Sequence, residues 1–128
     1  MIGIVDYGLG NVGAFLTCLS NSNIKAEKAS DPHSLSKFSH LILPGVGSFD
    51  YAIKLINKSG LIGNLYENVM IDKKPLLSVC VGMQMLATRS FENGKFDGLN
   101  WIKGEVKKKI TSDINQIKKF RKFRRNKL

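Results

Sequence analysis

Histidine and cysteine are scarce: the 128 residues contain two of each. No spacing among them suits a metal site, and no cofactor or metal is expected. Two cysteines without an export signal exclude a disulfide framework and point to a reducing compartment. No apolar run approaches the roughly 20 residues that a membrane span needs. The start, Met1-Ile2-Gly3-Ile4-Val5-Asp6, lacks the basic and long apolar regions of a signal peptide. Internal repeats are absent, as is any long polar low-complexity tract ahead of the C-terminal segment. These absences leave a soluble, cytoplasmic protein as the expectation. The 43% hydrophobic residues would supply one moderate core.

Acidic residues are also few, ten against twenty Lys and Arg, a net charge of +10. The excess is local. Residues 101–128 hold eleven of the basic side chains and only Glu105 and Asp113 as acids. The preceding hundred residues carry nine basic and eight acidic groups, so the globular part is close to neutral. A whole-chain charge argument for nucleic acid therefore fails.

What is present is an alternation of apolar runs and amphipathic stretches. Ile2-Gly3-Ile4-Val5, His40-Leu41-Ile42-Leu43 and Pro75-Leu76-Leu77-Ser78-Val79 read as three strong strands, and Ile24 to Ala29 as a weaker one. Val12, Phe15, Leu16 and Leu19 recur at helical spacing before the Asn21-Ser22-Asn23 breaker. Asp31-Pro32 predicts a helix start, with Asp as N-cap and Pro at the first position. Ser48 is placed to cap a helix carrying Phe49, Ala52, Ile53 and Ile56. Leu61, Ile62, Leu65, Tyr66 and Val69 give another helical face, and Gly82 to Ala87 opens a last one. Strands alternating with helices predict an α/β fold: an open, mostly parallel sheet with helices on both faces. Three strands end in glycine-containing turns, at Gly8, at Gly45 and around Cys80. The carboxyl ends of parallel strands are where sites assemble.

Ser78-Val79-Cys80-Val81-Gly82 has the small-x-nucleophile-x-Gly layout of a nucleophile elbow between strand and helix. A thiol there stands at a helix N-terminus, where the dipole favours thiolate and backbone N–H groups meet a developing oxyanion. A buried structural cysteine at a strand end fits the same pattern. Pro44-Gly45-Val46-Gly47 follows the neighbouring strand, and its glycines permit a peptide plane to turn an N–H toward a ligand. A plain strand-to-helix turn uses the same residues. Cys18 beside the Phe15 and Leu19 stripe reads as packing, His33 as a surface residue, and His40 as a strand start. Neither histidine is placed as a base. Gly8-Leu9-Gly10-Asn11-Val12-Gly13 superficially matches a dinucleotide fingerprint, without a clear acidic partner after the second strand.

Four ordered motifs carry a more specific reading. They are Ile4-Val5-Asp6-Tyr7-Gly8-x-Gly10-Asn11, then Leu41-Ile42-Leu43-Pro44-Gly45-Val46-Gly47-Ser48-Phe49, then Cys80-x-Gly82-Met83-Gln84, and Gly98-Leu99-Asn100-Trp101-Ile102-x-Gly104-Glu105-Val106. Together they resemble the class I glutamine amidotransferase subunits of imidazole glycerol phosphate synthases, from Met1 to about Val106. The resemblance displaces the dinucleotide reading and implies a flavodoxin-like three-layer fold, incomplete at the C-terminus. It implies Cys80 as the nucleophile on glutamine, with Gly45, Val46, Gly47 and the Val81 N–H as oxyanion and substrate contacts. Gln84 would help hold the substrate, and ammonia would pass to a cyclase subunit in a heterodimer of histidine biosynthesis. The His-x-Glu pair that serves the family as acid–base partner is absent, and Ser78 and Val81 replace the usual Gly and Leu.

The expected division is therefore 1–106, the N-terminal part of an amidotransferase domain, and 107–128, a basic, divergent or truncated tail. Basic residues interleaved with Phe120 and Phe123 have the chemistry for phosphate or anionic lipid. The resemblance suggests instead a degenerated family strand, with Arg121, Arg124 and Arg125 where Pro, Gly and Trp are expected. Nucleic acid and membrane are not expected partners. Two further readings stand beside the histidine pathway. One is a paralogue supplying ammonia for surface-polysaccharide sugar modification, and the other an inactive remnant lacking the catalytic His and Glu.

Overall fold

The computed structural model describes residues 1–107. β1 (Ile2–Val5), β3 (His40–Leu43) and β4 (Leu76–Ser78) form where the apolar runs predict them, and the weaker run yields β2 (Ala26–Ala29). All four join one parallel sheet in the order β2-β1-β3-β4. Side chains alternate across it, because successive residues of a strand face opposite sides. Ile4 and Ile42 pack with Val12 and Phe15 of α1 (Val12–Asn21) on one face. Val5, Leu41 and Leu43 point the other way, into the larger cluster with Leu35, Phe38, Ala52, Ile56, Leu61 and Leu65. Helices therefore cover both faces, as the alternating pattern implied.

The helix starts show how local chemistry sets these elements. The Asn11 side chain accepts from Ala14 N at 3.0 Å and caps α1. Asp31 accepts from His33 N at 3.0 Å, but the helix it opens, Pro32–Lys37, is 3-10 rather than α. Ser48 stands at the cap of α2 (Phe49–Ser59) without a side-chain bond to it. Asp50 in the first turn supplies the negative charge that favours a helix N-terminus. α3 (Ile62–Tyr66) runs into a π-helical turn, Glu67–Ile71, closed by Asp72 N donating to Glu67 O at 2.9 Å.

Two expectations need correction. The helix expected over Gly82 to Ala87 is a single turn, α4 (Val81–Gln84). After that turn the bonds tighten to three-residue spacing, Leu86 N donating to Met83 O and Ala87 N to Gln84 O at 3.1–3.2 Å. The carbonyls that follow are taken up by the fourth motif: Leu99 N donates to Met85 O, Trp101 N to Leu86 O and Asn100 N to Ala87 O, at 2.8–3.0 Å. The same segment carries a second sheet that the apolar pattern did not reveal, of β5 (Arg89–Ser90), β6 (Phe96–Asp97) and β7 (Glu105–Val106) in the order β6-β5-β7. Strands of two residues are too short for any period to show. Cys18, read as packing, is exposed on the outer side of α1.

Among the described residues no helix is long and apolar enough to cross a membrane. The readings made for the basic tail fall on residues 108–128 and lie outside the described residues.

Candidate active site

Three turns converge at the carboxyl ends of β1, β3 and β4. Gly45 and Gly82 allow the closest approach, backbone against backbone. A Cβ on Gly45 would lie 2.5 Å from the Gly82 nitrogen and 2.8 Å from the Tyr7 hydroxyl oxygen. A Cβ on Gly82 would run into the Leu43 carbonyl oxygen. Neither side chain fits, so the turn after β3 and the elbow after β4 form one rigid unit. The first turn closes on it from β1, where a Cβ on Gly10 would come within 2.7 Å of the Pro44 ring. The buried Tyr7 hydroxyl donates to the Pro44 carbonyl at 2.7 Å.

Cys80 occupies φ 55°, ψ −126°. A side-chain-bearing residue in that conformation stores on the order of 1–3 kcal/mol of backbone strain. The strain is held by Val79 N donating to Leu43 O on one side and Met83 N donating to Cys80 O on the other, both at 3.0 Å. The result is a thiol carried out of the sheet, with Cys80 exposed while Val81 and Gly82 are buried. A structural cysteine buried at a strand end would show the reverse.

The amides around the thiol are unpaired. Among the described residues, the N–H groups of Gly45, Val46, Gly47 and Val81 donate to no acceptor. A cavity of about 190 Å³ is lined by Cys80, Gly45 and Val46 together with Gly10, Asn11, Phe15, Pro44 and Val79. Its walls combine one nucleophile, free backbone donors and an apolar floor, the makings of a site for a small carbonyl compound.

The six residues singled out from sequence are not all brought to one place. Cys80, Gly45 and Val46 share the cavity, and Val81 follows Cys80 at its rim. Gly47 belongs to the same turn without lining that space. Gln84 lines a neighbouring groove of about 310 Å³ with Met83, Ala87, Ile102 and Val106. Neither histidine approaches: His40 begins β3, about 10 Å along the strand from its carboxyl end, and is exposed. His33 is exposed in the 3-10 helix. In the sequence Tyr7 stands out only within the first family motif, and Gly10 and Asn11 there and in the dinucleotide-like glycine run. Asn11 just before the periodic Val12 run was the available signal for its capping role. Nothing in the pattern announced the reach of Tyr7 to Pro44. Among the described residues no cluster of His, Cys, Asp and Glu is arranged to hold a metal ion.

Comparison with known proteins places this geometry. Residues 9–123 match the SNO glutamine amidotransferase family. The chain belongs to that family. Among curated relatives of this amidotransferase chain, the "Imidazole glycerol phosphate synthase subunit HisH" of Leptospira interrogans is 45% identical over 108 residues, 84% of this chain and 52% of its own. The subunit of the same name from Bdellovibrio bacteriovorus is 46% identical over 107 residues, again 84% of this chain and 52% of its own. "Imidazole glycerol phosphate synthase subunit HisH 1" of Campylobacter jejuni is 39% identical over 115 residues, 90% of this chain and 57% of its own. The chain thus spans about half the length of the curated relatives it matches. A crystal structure titled as a glutamine amidotransferase superposes with a TM-score of 0.67 at 20% identity, over 83% of this chain and 55% of that one. That likeness supports the fold.

Proposed function

We propose that residues 1–106 form the nucleophile-bearing part of a glutamine amidotransferase subunit working with an imidazole glycerol phosphate synthase. The observation that carries the reading is the strained, outward-turned Cys80 beside the unoccupied amides of Gly45 to Gly47 and of Val81. The Cys80 sulfur attacks the side-chain carboxamide carbon of glutamine, and the tetrahedral oxyanion is held by Val81 N–H and the Gly45–Gly47 turn. Collapse breaks the carbon–nitrogen bond, a proton joins the leaving ammonia, and a glutamyl thioester remains. Water then releases glutamate and restores the thiol. Ammonia passes to a cyclase subunit of the synthase, the partner that the relatives' names as synthase subunits suggest. Gln84 is assigned to substrate holding by the resemblance of Cys80-x-Gly82-Met83-Gln84, from its position one turn beyond the nucleophile.

The thiol proton needs an acceptor and the ammonia a donor. His33 and His40 are the sequence's two histidines and neither stands near Cys80, so no described residue is assigned that role. Beside it stands a second reading, in which the described residues keep the site and bind partners without turnover. The deciding experiment measures ammonia release from glutamine by the chain with and without the cyclase subunit, beside Cys80→Ser. Release above the Cys80→Ser background supports the enzyme. Stoichiometric, glutamine-protected capture of Cys80 by the chloroketone analogue of glutamine, without ammonia release, supports the silent site. Cys80 that neither turns over nor shows glutamine protection would end the amidotransferase assignment for this chain.

A further inference from the structure

We infer that Tyr7 is a positioning residue for the proposed reaction: its hydroxyl fixes the backbone plane at the base of the Gly45–Gly47 turn, so that the turn's amides are presented to Cys80. The inference rests on the amidotransferase reading above and deepens it.

The geometry at Pro44 supports this directly. Leu43 O points toward β4, where it accepts from Val79 N at 3.0 Å. In an extended chain the next carbonyl points the other way, and Pro44 O meets the Tyr7 hydroxyl on the β1 side at 2.7 Å. A trans peptide is planar. Pinning that carbonyl therefore fixes the plane from which Gly45 and Val46 leave the sheet. From there on the inner side of the turn is held by the packing of Gly45 on Gly82. The amides of 45–47 donate to nothing among the described residues, and Gly47 sits at φ 84°. Val46 is 52% exposed. Packing on Gly82 thus seats the turn, and one buried hydroxyl sets the orientation of the peptide plane from which its exposed outer side departs.

The Tyr7 hydroxyl is also well matched to remain a donor. It is pushed up from 10.0 to about 12 by desolvation on burial. It stays protonated across the neutral range, so the anchor does not titrate where an amidotransferase works. The raised folded-state value means stability is fully present below pH 10 and is lost as pH climbs toward 12. Tyr7→Phe removes that dependence together with the bond.

Tyr7→Phe keeps the ring in the core and deletes only the donor. Cys80 is labelled in the full chain with the chloroketone analogue of glutamine and, separately, with iodoacetamide. The first reagent's carbonyl uses the turn amides as its methylene carbon takes the sulfur and chloride leaves. With iodoacetamide the sulfur takes the methylene carbon and iodide leaves, with no such demand. Tyr7→Phe should slow the saturated chloroketone rate about tenfold, with the half-saturating concentration and the iodoacetamide rate both within about twofold of the parent. Equal slowing with both reagents indicates general loss of structure and overturns the inference. So does an unchanged chloroketone rate. A crystal structure of Tyr7→Phe gives a readout independent of glutamine: a Pro44–Gly45 peptide left in its present plane overturns the anchor. Parent chain that reacts with the chloroketone without saturation sinks the glutamine reading, and this role for Tyr7 with it.

Discussion

At Ser78 the sequence carries a hydroxyl that the fold does not use. Its Oγ is buried with no hydrogen-bond partner among the described residues, on the strand that delivers the nucleophile. It sits in register with Leu43, which is fully buried. An unpaired buried hydroxyl costs about 1–3 kcal/mol. Ser78→Ala keeps the Cβ and removes the orphan oxygen, so stability should be unchanged or rise by up to about 1 kcal/mol in urea unfolding. A loss above 1 kcal/mol would mean that the hydroxyl has a partner in solution. Residues of this kind were only half legible from sequence. Ser78 was recognised as departing from the family's glycine, because a small residue two before the nucleophile is part of the elbow pattern. Its unsatisfied state depends on what lies across the strand, and no local pattern encodes that. Tyr7 is the sharper case: a bond spanning 37 positions has no signature in either segment alone.

At the scale of elements, strands and helices with a clear period were legible, and those whose shape is imposed from outside were not. β1, β3 and α1 follow from local patterning of side chains that each element buries by itself. α4 does not, because the segment that follows it, Met85 to Ala87, turns its carbonyls to the distant Leu99, Asn100 and Trp101. The segment from Glu67 to Lys74 is held in a comparable way. Lys74 Nζ donates to Leu35 O at 3.0 Å, Ser36 O at 3.3 Å and Asn68 Oδ1 at 2.7 Å. A single ammonium thus ties the start of the π-helical turn to the end of the 3-10 helix. Asn68 is itself buried and donates to Asn64 O at 2.7 Å. Lys74→Met conserves most of the stem's packing and deletes the three bonds, leaving Asn68 Oδ1 without a donor. The expected cost is about 1–3 kcal/mol by urea unfolding. Amide exchange should accelerate first in residues 67–74 and 32–37, since a local tie protects its own neighbourhood before the whole fold. Uniform acceleration across β1 and β3 would show that Lys74 supports the core rather than this junction.

For the whole molecule the sheet has two edges. β1 and β3 each have a hydrogen-bonded neighbour on both sides, whereas β2 and β4 each have one among the described residues. Parallel strands normally have both faces covered. Here Leu77, in register with the buried Ile42, is 59% exposed, and with Ile2, Leu19 and Pro75 it lines an apolar groove of about 330 Å³. Leu43 one strand away is fully buried. The two leucines should therefore respond in opposite ways to substitution. Leu43→Ala removes core packing and should cost about 2–5 kcal/mol. Leu77→Lys removes little, and should shift stability by no more than about 0.5–1 kcal/mol. An apolar patch beside an open strand edge is also where self-association starts. Sedimentation of the parent chain should show association rising with concentration, and Leu77→Lys should suppress it by placing a charge beside the edge. If Leu77→Lys instead unfolds the chain as severely as Leu43→Ala, Leu77 is buried in solution and the open side of the sheet is covered there. If both chains sediment identically as monomers, the exposed leucine is not an adhesive surface. The contrast matters for the site, because β4 carries Cys80 at its end. Among the described residues β4 is paired on one side and holds the nucleophile through β3 and the Gly45–Gly82 contact, so association or covering at its other edge bears directly on the elbow's rigidity.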